Sequence, residues 1–215
     1  MTMKYFYDTE FLEDGRTINL ISIGIVAEDG REYYAVNSEA DWDRIRKNNW
    51  LMEHVVSSLP THSTGQVERS KSFGSIGKWT WGGLDLKDVH VKPKWVIRNE
   101  VREFMAIGDE GDPKAELWAD YAAYDHVALA QLFGRMIDLP EWIPMYTRDF
   151  QQRLDELGRP ELPAQTEGAH NALEDARHLK RCFDHVLALH RAEELQNGIN
   201  KMIARADAAM EEPIQ

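Results

Sequence analysis

Over roughly the first 40 positions, short apolar runs alternate with polar pairs, which is the spacing of strands and turns. Residues 4–11 are rich in aromatics and read as a strand. Asp14-Gly15 is a turn signal, and residues 18–27 are β-branched and apolar enough for a buried strand. Asp29-Gly30 marks a hairpin, and residues 32–37 form a third strand, so the chain is predicted to open with an antiparallel meander. From residue 41 the period lengthens. Residues 41–58 have helical character, with Asp41 placed to cap them. Further helices are predicted over 95–105, 125–137 and 150–157, the last closed by Gly158 and Pro160. Residues 115–119 and 145–148 read as short strands, and one long helix runs from Asn171 to His190 and beyond, with Gly198 a candidate break. Strands first, then strands alternating with helices, predict an α/β fold in which helices flank a mixed sheet.

Residues 60–93 lack either period and are rich in Ser, Gly, Thr and Lys, which marks a long insertion with a hairpin predicted near residues 78–84. We therefore expect one domain over 1–190, an insertion at about 60–94, and a helical extension over 191–215. The 215 residues, 43% hydrophobic, suffice for one substantial core. A single cysteine, Cys182, excludes an internal disulfide and a cysteine-based zinc site. No apolar run reaches the roughly 18 residues of a membrane span, and the first ten residues lack a signal-peptide layout, so a cytoplasmic protein is expected. The net charge of −12 argues against tight nonspecific binding to long duplexes. It does not exclude nucleic acid, because residues 61–102 carry eight basic and four acidic side chains. A site that grips phosphate through metal ions also needs carboxylates.

Three short motifs place acids where acids are uncomfortable. In Asp8-Thr9-Glu10, strand geometry turns both carboxylates to one face, beside Phe6, where they repel unless something positive lies between them. Taken alone, the pair reads more simply as a solvated strand edge. Asp125 shares the helical stripe of Leu129, Leu132, Phe133 and Met136, although an N-cap aspartate explains it equally simply. His170 precedes, or opens, a helix whose apolar stripe is Ala172, Ala176, Leu179, Phe183 and Val186, with Asp175 at its edge. By itself that too is an ordinary surface helix start. His126, His178, His185 and His190 read as polar helix positions and not as ligands.

In their order the motifs say more. Asp-x-Glu on the first strand, Asp125 opening a mid-chain helix, and His170 with Asp175 opening a late helix resemble the DEDDh exonucleases of the ribonuclease H-like superfamily. A histidine five residues before the last aspartate, with Asn171 four before it, fits the histidine branch better than the tyrosine branch. Residues 6–11, 121–125 and 170–176 are similar, more narrowly, to the polyadenylate-specific 3′-exoribonuclease group (RNase AS), and Tyr121 stands where many wider relatives have Asn. The resemblance covers about residues 3–189 and does not extend to the insertion.

It implies a ribonuclease H-like mixed sheet and hydrolysis of single-stranded RNA from its 3′ end, with poly(A) preferred. It also implies two Mg²⁺ or Mn²⁺ ions about 3.5–4 Å apart, held by oxygen ligands. Asp8 would bridge them, Glu10 and Asp175 would complete one, Asp125 would hold the other, and His170 would act as general base. Substrate contacts are expected from Phe11, Thr9, Tyr121 and Tyr124, with Glu10 near the terminal ribose. Trp79 and Trp81, interleaved with Lys71, Lys78 and Lys87, suggest a basic-aromatic flap or a subunit contact. A homodimer follows from the resemblance alone. The competing readings are a DNA exonuclease with the same site, a non-catalytic nucleic-acid-binding module, and a metal-binding structural domain.

Overall fold

The computed structural model describes residues 2–62, 67–69, 79–106 and 115–211, with side chains as far as Arg205. The opening meander is β1 (Met3–Glu13), β2 (Ile18–Ala27) and β3 (Glu32–Asn37), followed by two short helices, α1 (Trp42–Ile45) and α2 (Asn49–His54). The long helix expected over 41–58 is therefore broken. Asp41 caps α1, Asn48 caps α2, and a 3₁₀ turn at Val56–Ser58 ends the segment. Next come β4 (Glu68–Arg69), β5 (Trp79–Thr80), β6 (Val91–Lys92), α3 (Lys94–Met105), β7 (Ala115–Ala119) and α4 (Ala123–Phe133). The chain closes with β8 (Arg148–Asp149), α5 (Phe150–Glu156) and α6 (Ala172–Glu211).

Six strands form one sheet in the order β6-β3-β2-β1-β7-β8. β1, β2 and β3 are antiparallel, whereas β7, β8 and β6 join in parallel, which gives the mixed sheet of a ribonuclease H-like fold. β4 and β5 make a separate two-stranded ribbon, in place of a hairpin within 78–84. The last sheet strand starts three residues later and ends one residue later than expected, and α4 stops at Phe133 because Gly134 takes φ 109°. Gly198 does not interrupt α6.

Strand alternation supplies two apolar layers. On one face Tyr5, Tyr7, Ile23 and Ile25 pack with Ile97, Val101 and Met105 of α3 and Leu129 and Leu132 of α4. On the other, Phe6 and Trp118 meet Phe150 and Leu154 of α5 and Leu179, Cys182 and Val186 of α6, while Leu12, Ile21 and Val36 cover α1 and α2. Each such fully buried aliphatic side chain contributes about 1.5–3 kcal/mol. The alternation shifts once. Glu10 pairs with Ser22 but Phe11 pairs with Leu20, so Ile21 is an extra residue in β2 and faces the opposite layer from Leu20 and Ile23. That bulge lies beside the acidic pair, a common place for one.

Candidate active site

Asp8 and Glu10 lie on the β1 face that α6 covers, as the strand period requires. Asp125 reaches them from the other layer. It sits in the first turn of α4 and does not cap it; its Oδ1 accepts hydrogen bonds from the Thr9 amide (2.9 Å) and hydroxyl (2.6 Å). Thr9 is buried and borders the cleft, and both of its donors are committed to holding this carboxylate.

The third segment precedes α6. Asn171 is its cap, with Oδ1 accepting from the amides of Leu173 (3.2 Å) and Glu174 (3.3 Å). His170 therefore stands outside the helix, in the left-handed region at φ 65°. Its amide donates to Asp175 Oδ2 (2.9 Å), and Gln165 Nε2 donates to Asp175 Oδ1 (2.6 Å). Gly24, the β2 partner of Asp8, lets the start of α6 lie directly on the sheet: a Cβ there would collide with the backbone of Ala172 and Leu173. Through this contact Asp175 arrives beside β1. Ligand atoms of Glu10, His170 and Asp175 all lie within 4.8 Å of one another.

The electrostatics follow from this crowding. Glu10, 8% exposed, has its carboxyl pushed up to about 8, first by burial and then by Asp175 and Asp125. Burial also raises Asp125 to about 6, against the pull of the Thr9 hydrogen bonds. Asp8 is raised well above the ordinary range by burial and by Asp125, Glu10 and Asp175. Asp175 is raised by burial, with the Gln165 and His170 hydrogen bonds opposing. Burial is the largest cause of all four shifts. Four crowded carboxylates with a histidine beside them are an oxygen-rich donor set of the kind that hard divalent cations take.

A cavity of about 320 Å³ opens over these groups, rimmed by Phe11, Trp50, Tyr121 and Tyr124. Phe11 and Tyr124 pack at 5.9 Å between ring centres, and Tyr121, at φ 51°, is 71% exposed. An adjoining lobe of about 330 Å³ shares Asp8, His170 and Asp175 and is walled by Gln151, Leu162 and Gln165. A cavity of about 550 Å³ between β8, α5 and α6 contains none of the five predicted catalytic residues.

All five of those residues thus line one cleft. Sequence reasoning missed Asp120, Gln165 and Trp50. Asp120 follows the last residue of β7, accepts from Gln151 Nε2 (2.8 Å), and has its carboxyl raised by burial. Its position at the carboxyl end of a parallel strand was the one available signal. The predicted flap is corrected for its tryptophans. Trp81 packs on Trp42 (5.2 Å) and under Arg46, and Trp79 donates from Nε1 to Asn49 Oδ1 (3.0 Å), so both are anchored on α1 and α2. Lys71 and Lys78 lie outside the described residues.

Sheet order and helix placement together define a ribonuclease H-like fold with an acidic cleft at the β1–β7 junction. Comparison with known proteins narrows the class: the chain belongs to the 3′-5′ exoribonuclease Rv2179c-like domain family, whose sequence model matches residues 3–187. Among curated relatives, the 3′-5′ exoribonuclease Rv2179c of Mycobacterium tuberculosis (strain ATCC 25618 / H37Rv) is 43% identical over 181 residues, covering 84% of this chain and 91% of the relative. The 3′-5′ exoribonuclease MT2234.1 of strain CDC 1551 / Oshkosh matches over the same 181 residues at 43%.

Proposed function

We propose that this chain is a metal-dependent 3′→5′ exoribonuclease. The carrying observation is the meeting of Asp8, Glu10, Asp125, Asp175 and His170 in one cleft, where burial raises all four carboxyls. The family relatives, named as 3′-5′ exoribonucleases, support the same reading.

Asp8 would hold both of two Mg²⁺ or Mn²⁺ ions, Glu10 and Asp175 one of them, and Asp125 the other. When bound, such ions stabilise the charge that builds on phosphate and on the leaving oxygen. His170 supplies the general base, its imidazole taking a proton from the attacking water. Thr9 keeps Asp125 aimed into the cleft. Phe11 and Tyr124 offer aromatic faces to the terminal bases, Tyr121 closes the rim, and Glu10 lies where a terminal ribose hydroxyl can be read. The narrower resemblance to the polyadenylate-specific group supports a preference for poly(A), and the wider family resemblance supports a homodimer. Among the described residues no helix is long and apolar enough to cross a membrane.

The test is degradation of 5′-labelled single-stranded RNA with Mg²⁺ or Mn²⁺, beside matched DNA, oligo(A), oligo(U), an EDTA control and Asp175→Asn. A metal-dependent ladder shortening from the 3′ end, absent in the variant and strongest on oligo(A), is expected. Cleavage of DNA alone would move the substrate to deoxy chains. No cleavage by folded protein would sink the enzymatic reading. Light scattering of the purified protein tests the dimer.

A further inference from the structure

We propose that α2 and the turn after it form a bracket that holds His170 in its working pose, with Trp50 as the positioning residue. The proposal rests on the reading of His170 as general base.

Three groups of this one segment meet His170, which lies far away in sequence. The Trp50 ring meets the imidazole edge-on at 4.9 Å, and His54, one helical turn later, lies at 5.5 Å. Trp50 and His54 also pack on each other at 5.1 Å, so the three rings brace one another. The Ser58 hydroxyl is shared between the carbonyls of Val55 (2.8 Å) and His170 (3.2 Å).

His170 needs such help. Its backbone is left-handed, a conformation that a non-glycine residue keeps only where its surroundings over-determine it. The amide is tied to Asp175, but that bond leaves both side-chain torsions free. Unpacked, the imidazole would change rotamer within nanoseconds and would seldom point at one water. Core packing does not account for Trp50. α2 turns Leu51 and Met52 into the core, whereas Trp50 stays 49% exposed on the cleft rim. The face of α2 that would otherwise meet only solvent is spent on the histidine.

The test compares Trp50→Ala, Trp50→Phe and a distant control, Trp95→Ala, on labelled RNA with Mn²⁺. Misplacement of a catalytic group costs up to about 10²-fold in rate, so Trp50→Ala should lower kcat roughly 10- to 100-fold with KM within about twofold. Trp50→Phe should recover most of the loss, and Trp95→Ala should behave as wild type. In a His170→Ala background, Trp50→Ala should add no further loss, because it acts through that imidazole. A raised KM at unchanged kcat would assign Trp50 to substrate contact and overturn the proposal. So would additive losses in the double variant. A crystal structure of Trp50→Ala needs no activity: a displaced or smeared imidazole is expected, and an unmoved one sinks the bracket even if the wild type cleaves no RNA.

Discussion

The two halves of α6 are one unbroken helix in two different situations. From Ala172 to Val186 it turns Ala172, Ala176, Leu179, Cys182 and Val186 into the sheet and carries Asp175 to the site. Beyond His190 every described residue is exposed, including Leu195, Ile199, Met202 and Ile203. The family match ends at residue 187, close to where burial ends. Helical pattern alone therefore says little about energetic weight: the first half is held by tertiary packing, whereas the described residues of the second are all exposed.

Substitutions can break or sharpen this contrast, beginning with the largest effect. Asp175→Asn keeps the shape and removes the charge. Activity should fall by at least about 10³-fold, or about 4 kcal/mol in barrier. The metal-free variant should melt no lower than wild type, since a crowded charge has gone. A variant that keeps activity would detach the first half of α6 from the chemistry.

Gly24→Ala tests the seat of that half. Its Cβ has no room against the backbone of Ala172 and Leu173, and overpacking of this kind costs typically 1–3 kcal/mol and occasionally more. We expect about 3 kcal/mol in urea unfolding. A neutral outcome would mean that α6 can shift on the sheet.

The pH response concerns the same end of the helix. Glu10 titrates at an ordinary 4.5 when unfolded and near 8 when folded, so between these values the folded protein binds more protons. Metal-free stability should thus be greatest below about pH 4.5, as far as Glu10 decides it, and be lost as pH rises towards 8. Mn²⁺ at about 100 times its Kd should restore about 2.7 kcal/mol at pH 8, read by calorimetry. Stability that rises with pH in the absence of metal would contradict the crowding.

The smallest effect is expected in the outer half. Ile199→Ala in dilute protein should change stability by no more than about 0.5 kcal/mol. Leu179→Ala, at a buried site of the same helix, should cost about 2–5 kcal/mol. A large loss at Ile199 would show that this row is covered in solution.

Sequence by itself determined the meander, the two-residue period that sets Asp8 and Glu10 on one face, and the helices that Asp125 and Asp175 open. These are local properties, written in spacing and turn chemistry. It left the N-cap reading of Asp125 open, and it gave no sign of Gly24, Gln165 or the bracket around His170. Those depend on which segments touch: Thr9 with Asp125, β2 with the start of α6, and α2 with a histidine more than half the chain away. Only packing in three dimensions decides such contacts, because neighbours across a sheet or a helix face share no period along the chain.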